Sequence, residues 1–244
     1  NRGGVQMGGP AAVLAGHTTI NHGSIVGAGE VHPNLYNHGI VQATSGILAL
    51  MGPAVLNKPG GEMIVMEGAV LRVTNDFSNE GSVMLHGGVF EHLAAPTLNL
   101  FDVGGHGQFI GNQWTNDGVM HFSGGLSSID GAVMNTAMGS LILSSATASF
   151  NHHVTSAGTI ENNEGHLHFL SGLTLNNLLI TDPAETFFTD LIVREEGFIQ
   201  AESGDHFWVA GNFENSSVMN TQWETSRAAL LFHDGPNHVM EVVG

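Results

Sequence analysis

The chain reads as all-β, a right-handed parallel β-helix of about a dozen coils with a less regular C-terminal part. Three observations predict it. The phrase Asn-x-Gly followed by a short apolar strand returns along the chain, at Asn21, Asn37, Asn79, Asn116 and Asn163, with a looser copy at Asn57-Lys58-Pro59-Gly60-Gly61. Its apolar residues alternate with period two, the strand signature. Glycine is 34 of 244 residues, about twice the usual share. Self-similarity spaced by sixteen to twenty-two residues over the first copies fits one coil of a solenoid, whose loops absorb the differences. A β-sandwich has no such repeat, and a propeller blade is about twice as long. Right-handed coiling follows from the crossover rule.

Residues 1–19 form a Gly-rich lead-in or N-terminal cap. The regular solenoid is expected over 20–175. Within it Val83 and Leu85, Met120 and Phe122, Leu141 and Leu143, and Leu167 and Phe169 point inward. Met84, His121, Ile142 and His168 between them point outward. Glycine turns follow these strands at Gly87-Gly88, Gly124-Gly125 and Gly172, and Asp-Gly marks turns at 117–118, 130–131 and 234–235. The repeated Asn has a physical role, since it tolerates left-handed backbone angles and its amides can stack as a ladder along the axis. From 176 to 244 the repeat fades into irregular coils and a C-terminal cap ending on Trp223 and Ala229-Leu230-Leu231-Phe232. The best helical candidate is one turn near Pro183-Ala184-Glu185.

Charge excludes several functions. Five cations (Arg2, Lys58, Arg72, Arg194, Arg227) stand against 22 acidic residues, for a formal net charge of −17. That is no basic patch for nucleic acid, nor for an anionic membrane. Neutralisation by salt, divalent ions or protonation of the 15 histidines favours contact between copies. No apolar run reaches the ~18 residues of a membrane helix. No cysteine is present, so disulfides and thiolate metal sites are excluded. With few lysines and many Asn, Gly, Ser and Thr, this composition leans extracellular. The chain opens at Asn1 without a basic-then-apolar leader, which reads as a processed or excised segment.

The pieces "INHGSIV", "FSNEGSVML", "WTNDGVMHF" and "TIENNEGHLHF" resemble bacterial surface and secreted β-solenoid exoproteins of the autotransporter-passenger or adhesin kind. The terminal "GNFENSSVMNTQWETSRAALLFHDG" resembles segments near the ends of their repeat regions. The likeness covers most of residues 20–175 and implies a fold and an extracellular setting.

Chemistry is sparse. A carbohydrate-active β-helix needs carboxylates paired with each other or with a cation on one face; Arg72, Asp76 and Asp102 are the nearest to that. Arg194-Glu195-Glu196 reads as a solvated loop with a weak ion pair. No Gly-x-Ser-x-Gly elbow is present. His166 and His168 share a strand face, His152-His153 lie one coil earlier, and His121 takes the register of His168. Ile142 interrupts that column, so incidental surface histidine is the expectation. Calcium is conceivable at Asp76, Glu80, Asp117 and Glu164, but the Gly-Gly-x-Gly-x-Asp loop of calcium β-rolls is missing; Gly104-Gly105-His106-Gly107-Gln108 lacks the Asp. One outward column, Ala49, Val65, Met84, His121, Ile142 and His168, reads as an apolar lateral stripe. Trp114, Trp208 and Trp223 are sugar-stacking platforms or, more simply, core and cap. Asn215-Ser216-Ser217 fits a glycosylation sequon.

These readings give a non-catalytic extracellular or cell-surface structural protein, a self-assembling filament or matrix subunit or an adhesin stalk. It needs no catalytic, cofactor or metal residues. Its partners are its own copies or a surface glycan or protein. The alternatives are a β-helix polysaccharide lyase or hydrolase, and a glycan-binding adhesin.

Overall fold

The structure is a computed structural model that describes residues 1–94, 96–225 and 227–232 with their side chains, and 240–242 as backbone. The turn expected at Asp234-Gly235 lies outside the described residues. The fold is an all-β solenoid of about 11 turns, with parallel strands and no helix among the described residues. Among the described residues no helix is therefore long and apolar enough to cross a membrane. Contacts divide the chain into two compact units, Asn1–Trp114 and Thr115–Gly244.

Each coil has three faces, A, B and C in chain order. In the first unit one coil shows them separately as Glu62–Met66, Ala69–Val73 and Asp76–Asn79. In the next coil faces A and B fuse into one bent strand, Ser82–His92. Gly87 makes the bend with φ +83°, an angle that side-chain-bearing residues avoid. Parallel registers stack like on like: Val83 on Met63, Phe90 on Leu71, Phe77 on Val55. Those side chains fill the interior, and each fully buried one contributes roughly 1.5–3 kcal/mol by leaving water. Residues 1–19 already supply a coil strand, Gly4–Leu14, in parallel register with Ser24–Val31.

The second unit repeats the plan with Ser140–Ser144, Thr147–Phe150 and Val154–Ser156, and again with Thr159–Asn163, His166–Phe169 and Leu173–Leu175. Its interior is aromatic on face B. Phe150, Phe169 and Phe188 stack at 5.4 and 5.5 Å, with planes 11° and 5° apart. Pro183-Ala184-Glu185 is not a helical turn. It is the corner that opens the strand Glu185–Phe188, because proline in a chain already extended on both sides sets a bend between two strands.

The C-to-A corner holds the recurring Asn. In the first unit Asn1, Asn21, Asn37, Asn57, Asn79 and Asn99 form an amide ladder, each Nδ2 donating to the next Oδ1 at 2.8–2.9 Å. The second proton of Asn37 goes to the Glu62 carbonyl at 3.1 Å, and its Oδ1 also accepts from the Gly39 N–H at 3.3 Å. Buried amides are stable only when satisfied in this way. In the second unit Asn116 donates to Asn135 at 2.8 Å, and Asn135 to the Ser156 hydroxyl at 3.0 Å. Leu175 and Val193 then take the column.

The copy at Asn163 is not part of this series. Asn163-Glu164-Gly165 makes the A-to-B corner, with Glu164 at φ +56°. The ladder corner of the preceding coil is Ser156-Ala157-Gly158. The same three-letter turn serves two different corners, because Asn and Gly suit any tight turn.

Candidate functional site

The structure scatters most of the sequence-predicted site residues. Arg72 stands outward on face B, and its guanidinium Nε binds Glu91 Oε2 of the next coil at 2.8 Å. Asp76 opens a C-face strand. Asp102 lies on face A, in register with Ser82. The three do not share one groove. Arg194 pairs across coils with Glu214 at 2.7 Å, not with its neighbours Glu195 and Glu196. Among the acidic turn residues, Glu80 binds Lys58 at 2.7 Å, Glu164 accepts from Ser145 at 3.1 Å, and Asp117 accepts from the Thr136 hydroxyl. Among the described residues no three His, Asp or Glu side chains come together as a metal ion needs.

The outward column must be redrawn. Val65 points inward and is fully buried, since it pairs with Leu85 on face A. Ala49 pairs with Arg72 on face B. The true A-face column of the first unit is Gln42, Ile64 and Met84. In the second unit it is His121, Ile142, Glu161 and Ile180. His168 belongs to face B, between Ser149 and Phe187, so it does not share the register of His121. Alternation tells in from out, but not which of three faces a strand occupies. Neither A-face column is uniformly apolar.

Face B of the second unit does gather chemistry. One outward column runs His166, Glu185, His206, and the next runs His168, Phe187, Trp208, Leu231. Glu185 lies between two imidazoles, 3.8 Å from His166 Nδ1 and 3.9 Å from His206 Nδ1, beyond hydrogen-bond reach. His168 stacks on Phe187 at 4.4 Å and 3°, and Phe187 on Trp208 at 6.1 Å and 8°. Burial, and then the nearby His166, lower the His168 pKa, against the opposite pull of Glu185. Sequence reasoning missed this column. Its signal was the spacing of His168, Phe187 and Trp208 at nineteen and twenty-one residues. His152 and His153 turn elsewhere, to Asp130 at 3.0 Å and to Thr174 at 3.0 Å.

The stacking decides what the aromatic column can do. Sugar platforms present a ring face. Here the ring faces are spent on one another, and the Trp208 Nε1 edge is buried. Trp114 is buried, and Trp223 lines an apolar cavity of about 230 Å³ near the end of the second unit with Leu191, Ile199, Phe207, Phe213 and Leu230. None of the three is a free platform. Asn215 of the sequon is half-buried beside that cavity, its Oδ1 accepting from the Ser217 N–H at 3.0 Å.

The last B-face strand, Ala229–Phe232, pairs only with His206–Val209 among the described residues. Leu230 and Phe232 hold the inward register of Phe207 and Val209. The inner pair is 5% and 0% exposed, the outer pair 42% and 38%. Core positions are therefore on display at that strand.

No protein-family model, curated protein or solved structure matches this chain.

Proposed function

We propose that this chain is a non-catalytic structural protein of an extracellular or cell-surface setting, whose solenoid joins copies of itself into a filament or matrix. The observation that carries the reading is the exposure of Leu230 at an inward-facing position of a strand that pairs on one side among the described residues. A strand edge with apolar side chains beside it is a template for another chain. A saturated amide ladder supports the reading, because it suits a scaffold that stacks coils. The absence of cysteine and the scarcity of lysine support the extracellular setting.

Sedimentation velocity and negative-stain imaging over a wide concentration range test it. The wild type forms concentration-dependent oligomers or rods. The variant with Leu230→Lys and Phe232→Lys, its circular dichroism unchanged, stays monomeric. A wild type that is monomeric at every concentration overturns the reading.

A further inference from the structure

One corner of the first unit brings two exposed imidazoles together. The residue after each ladder Asn stands on the outer corner. Backbone bonds fix the series: the N–H groups of His22, His38, Lys58 and Glu80 donate to the carbonyls of Asn1, Asn21, Asn37 and Asn57 at 2.7, 2.7, 2.8 and 2.7 Å. Arg2 holds the equivalent place after Asn1, the first amide of the ladder. The corner therefore reads Arg2, His22, His38, Lys58, Glu80. His22 and His38 are exposed and stacked, with centroids 4.9 Å apart and planes 14° apart. The charged groups along the column are Arg2 on one side and the Lys58–Glu80 pair, 2.7 Å apart, on the other. Two imidazolium ions here would face Arg2, with no acidic side chain in the column before Glu80.

The rest of the chain supplies the complement. Residues 1–114 carry −4 of the formal charge, from seven acidic and three basic side chains, and residues 115–244 carry −13, from fifteen and two. The exposed Glu195, Glu196 and Glu202 lie in that acidic half. Protonating the six histidines of residues 1–114 other than the buried His92 would move that half to +2, while all eight of residues 115–244 would leave theirs at −5. In acid the two halves have opposite sign.

We propose that the Arg2–His22–His38 corner is an acid-switched docking surface for the acidic half of a second copy, near Glu195, Glu196 and Glu202. This rests on the self-association proposed above and adds its partner surface and its control. Stacked imidazolium ions repel each other. Carboxylates from another copy relieve that repulsion, so docking and proton uptake reinforce each other. Histidine is the side chain whose charge responds to mild acid, so the comparison is between neutral and mildly acidic solution. Exposed charge pairs are screened by salt, so the effect fades as salt rises.

The test is sedimentation velocity at pH 7.5 and 5.5, in low and high salt. It uses the wild type, the His22→Gln/His38→Gln variant, and the Glu195→Gln/Glu196→Gln/Glu202→Gln variant. In low salt the wild type associates on the order of tenfold more tightly at pH 5.5, a factor that two new exposed ion pairs supply. Both variants lose this acid gain but keep the wild-type affinity at pH 7.5. Equal association at both pH values overturns the switch and leaves the self-association reading standing. No association at either pH overturns both. An acid gain that persists in the His22→Gln/His38→Gln variant is general charge collapse and overturns the corner assignment. Soluble polyglutamate that binds the wild type at pH 5.5 while copies stay apart reassigns the surface to another polyanion.

Discussion

Replacing Asn37 by leucine breaks the ladder in its middle. Asn37 is fully buried. It accepts from Asn21 Nδ2 at 2.8 Å and donates to Asn57 Oδ1 at 2.8 Å, both within the interior, and its bonds to Gly39 and Glu62 are partly water-accessible. The change orphans one proton on Asn21 and the Oδ1 of Asn57. At about 1–3 kcal/mol for each stranded buried group, the loss is about 2–6 kcal/mol, a large part of a typical total of about 5–15 kcal/mol. Leucine is tolerable in shape, since Leu175 and Val193 fill this column elsewhere. Replacing Asn21, Asn37 and Asn57 together moves the orphans to Asn1, which is exposed, and to Asn79. The triple variant should therefore lose no more than about the single one, not three times as much. Urea denaturation followed by circular dichroism measures both. Additive losses, or a single-variant loss below about 0.5 kcal/mol, would refute the idea that the amides act as one coupled network.

Two further outcomes follow from buried polar groups. His92 is fully buried between Phe77, the Thr97 hydroxyl at 2.9 Å and the Asn75 carbonyl at 2.7 Å, and burial lowers its pKa. The unfolded chain binds this proton more readily, so the His92 contribution is full above pH 6.5 and is lost as pH falls toward the folded value; His92→Gln should flatten the fall in urea midpoint between pH 6.5 and 5. Ser156→Asn restores the repeat residue yet should lower stability by about 1–3 kcal/mol, because its new N–H would face Leu175; an unchanged or raised urea midpoint contradicts this.

The alternation of strands was legible because it is local. Val83, Leu85, Met120, Phe122, Leu141, Leu143, Leu167 and Phe169 are all buried, and Met84, His121, Ile142 and His168 between them are not. Face assignment was not legible, because it depends on how many residues each corner consumes. Fused strands such as Asp102–Asn116 and Val119–Asn135 carry two or more faces without a clear break. Hence His168 was expected beside His121. Val65 was expected outside for a different reason: Met63-Ile64-Val65-Met66 is apolar throughout, so alternation has no phase there. Ladder positions without a following glycine were also hidden. Asn99-Leu100-Phe101 and Asn135-Thr136-Ala137 hold the amide column as firmly as Asn37-His38-Gly39, because the ladder needs the amide and only the turn prefers glycine.

The same physics explains why the amides stop and what that leaves for function. Sliding a coil by one residue would break its amide's bonds to the coils on both sides, so the ladder specifies register as well as stability. Ser156 ends it cleanly: its hydroxyl accepts from Asn135 and donates to the Gly158 carbonyl at 3.0 Å, so no donor is aimed at Leu175. An apolar column such as Leu175 and Val193 cannot by itself enforce register. In those coils the aromatic stacks can, inside through Phe169 on Phe188 and outside through His168 on Phe187. The outer aromatic column is then a register device, which accounts for ring faces turned to one another. A surface so committed has little left for recognition. What remains is the outer corner with the two exposed imidazoles of His22 and His38, and Leu230, an inward-register side chain that is exposed on the last described B-face strand.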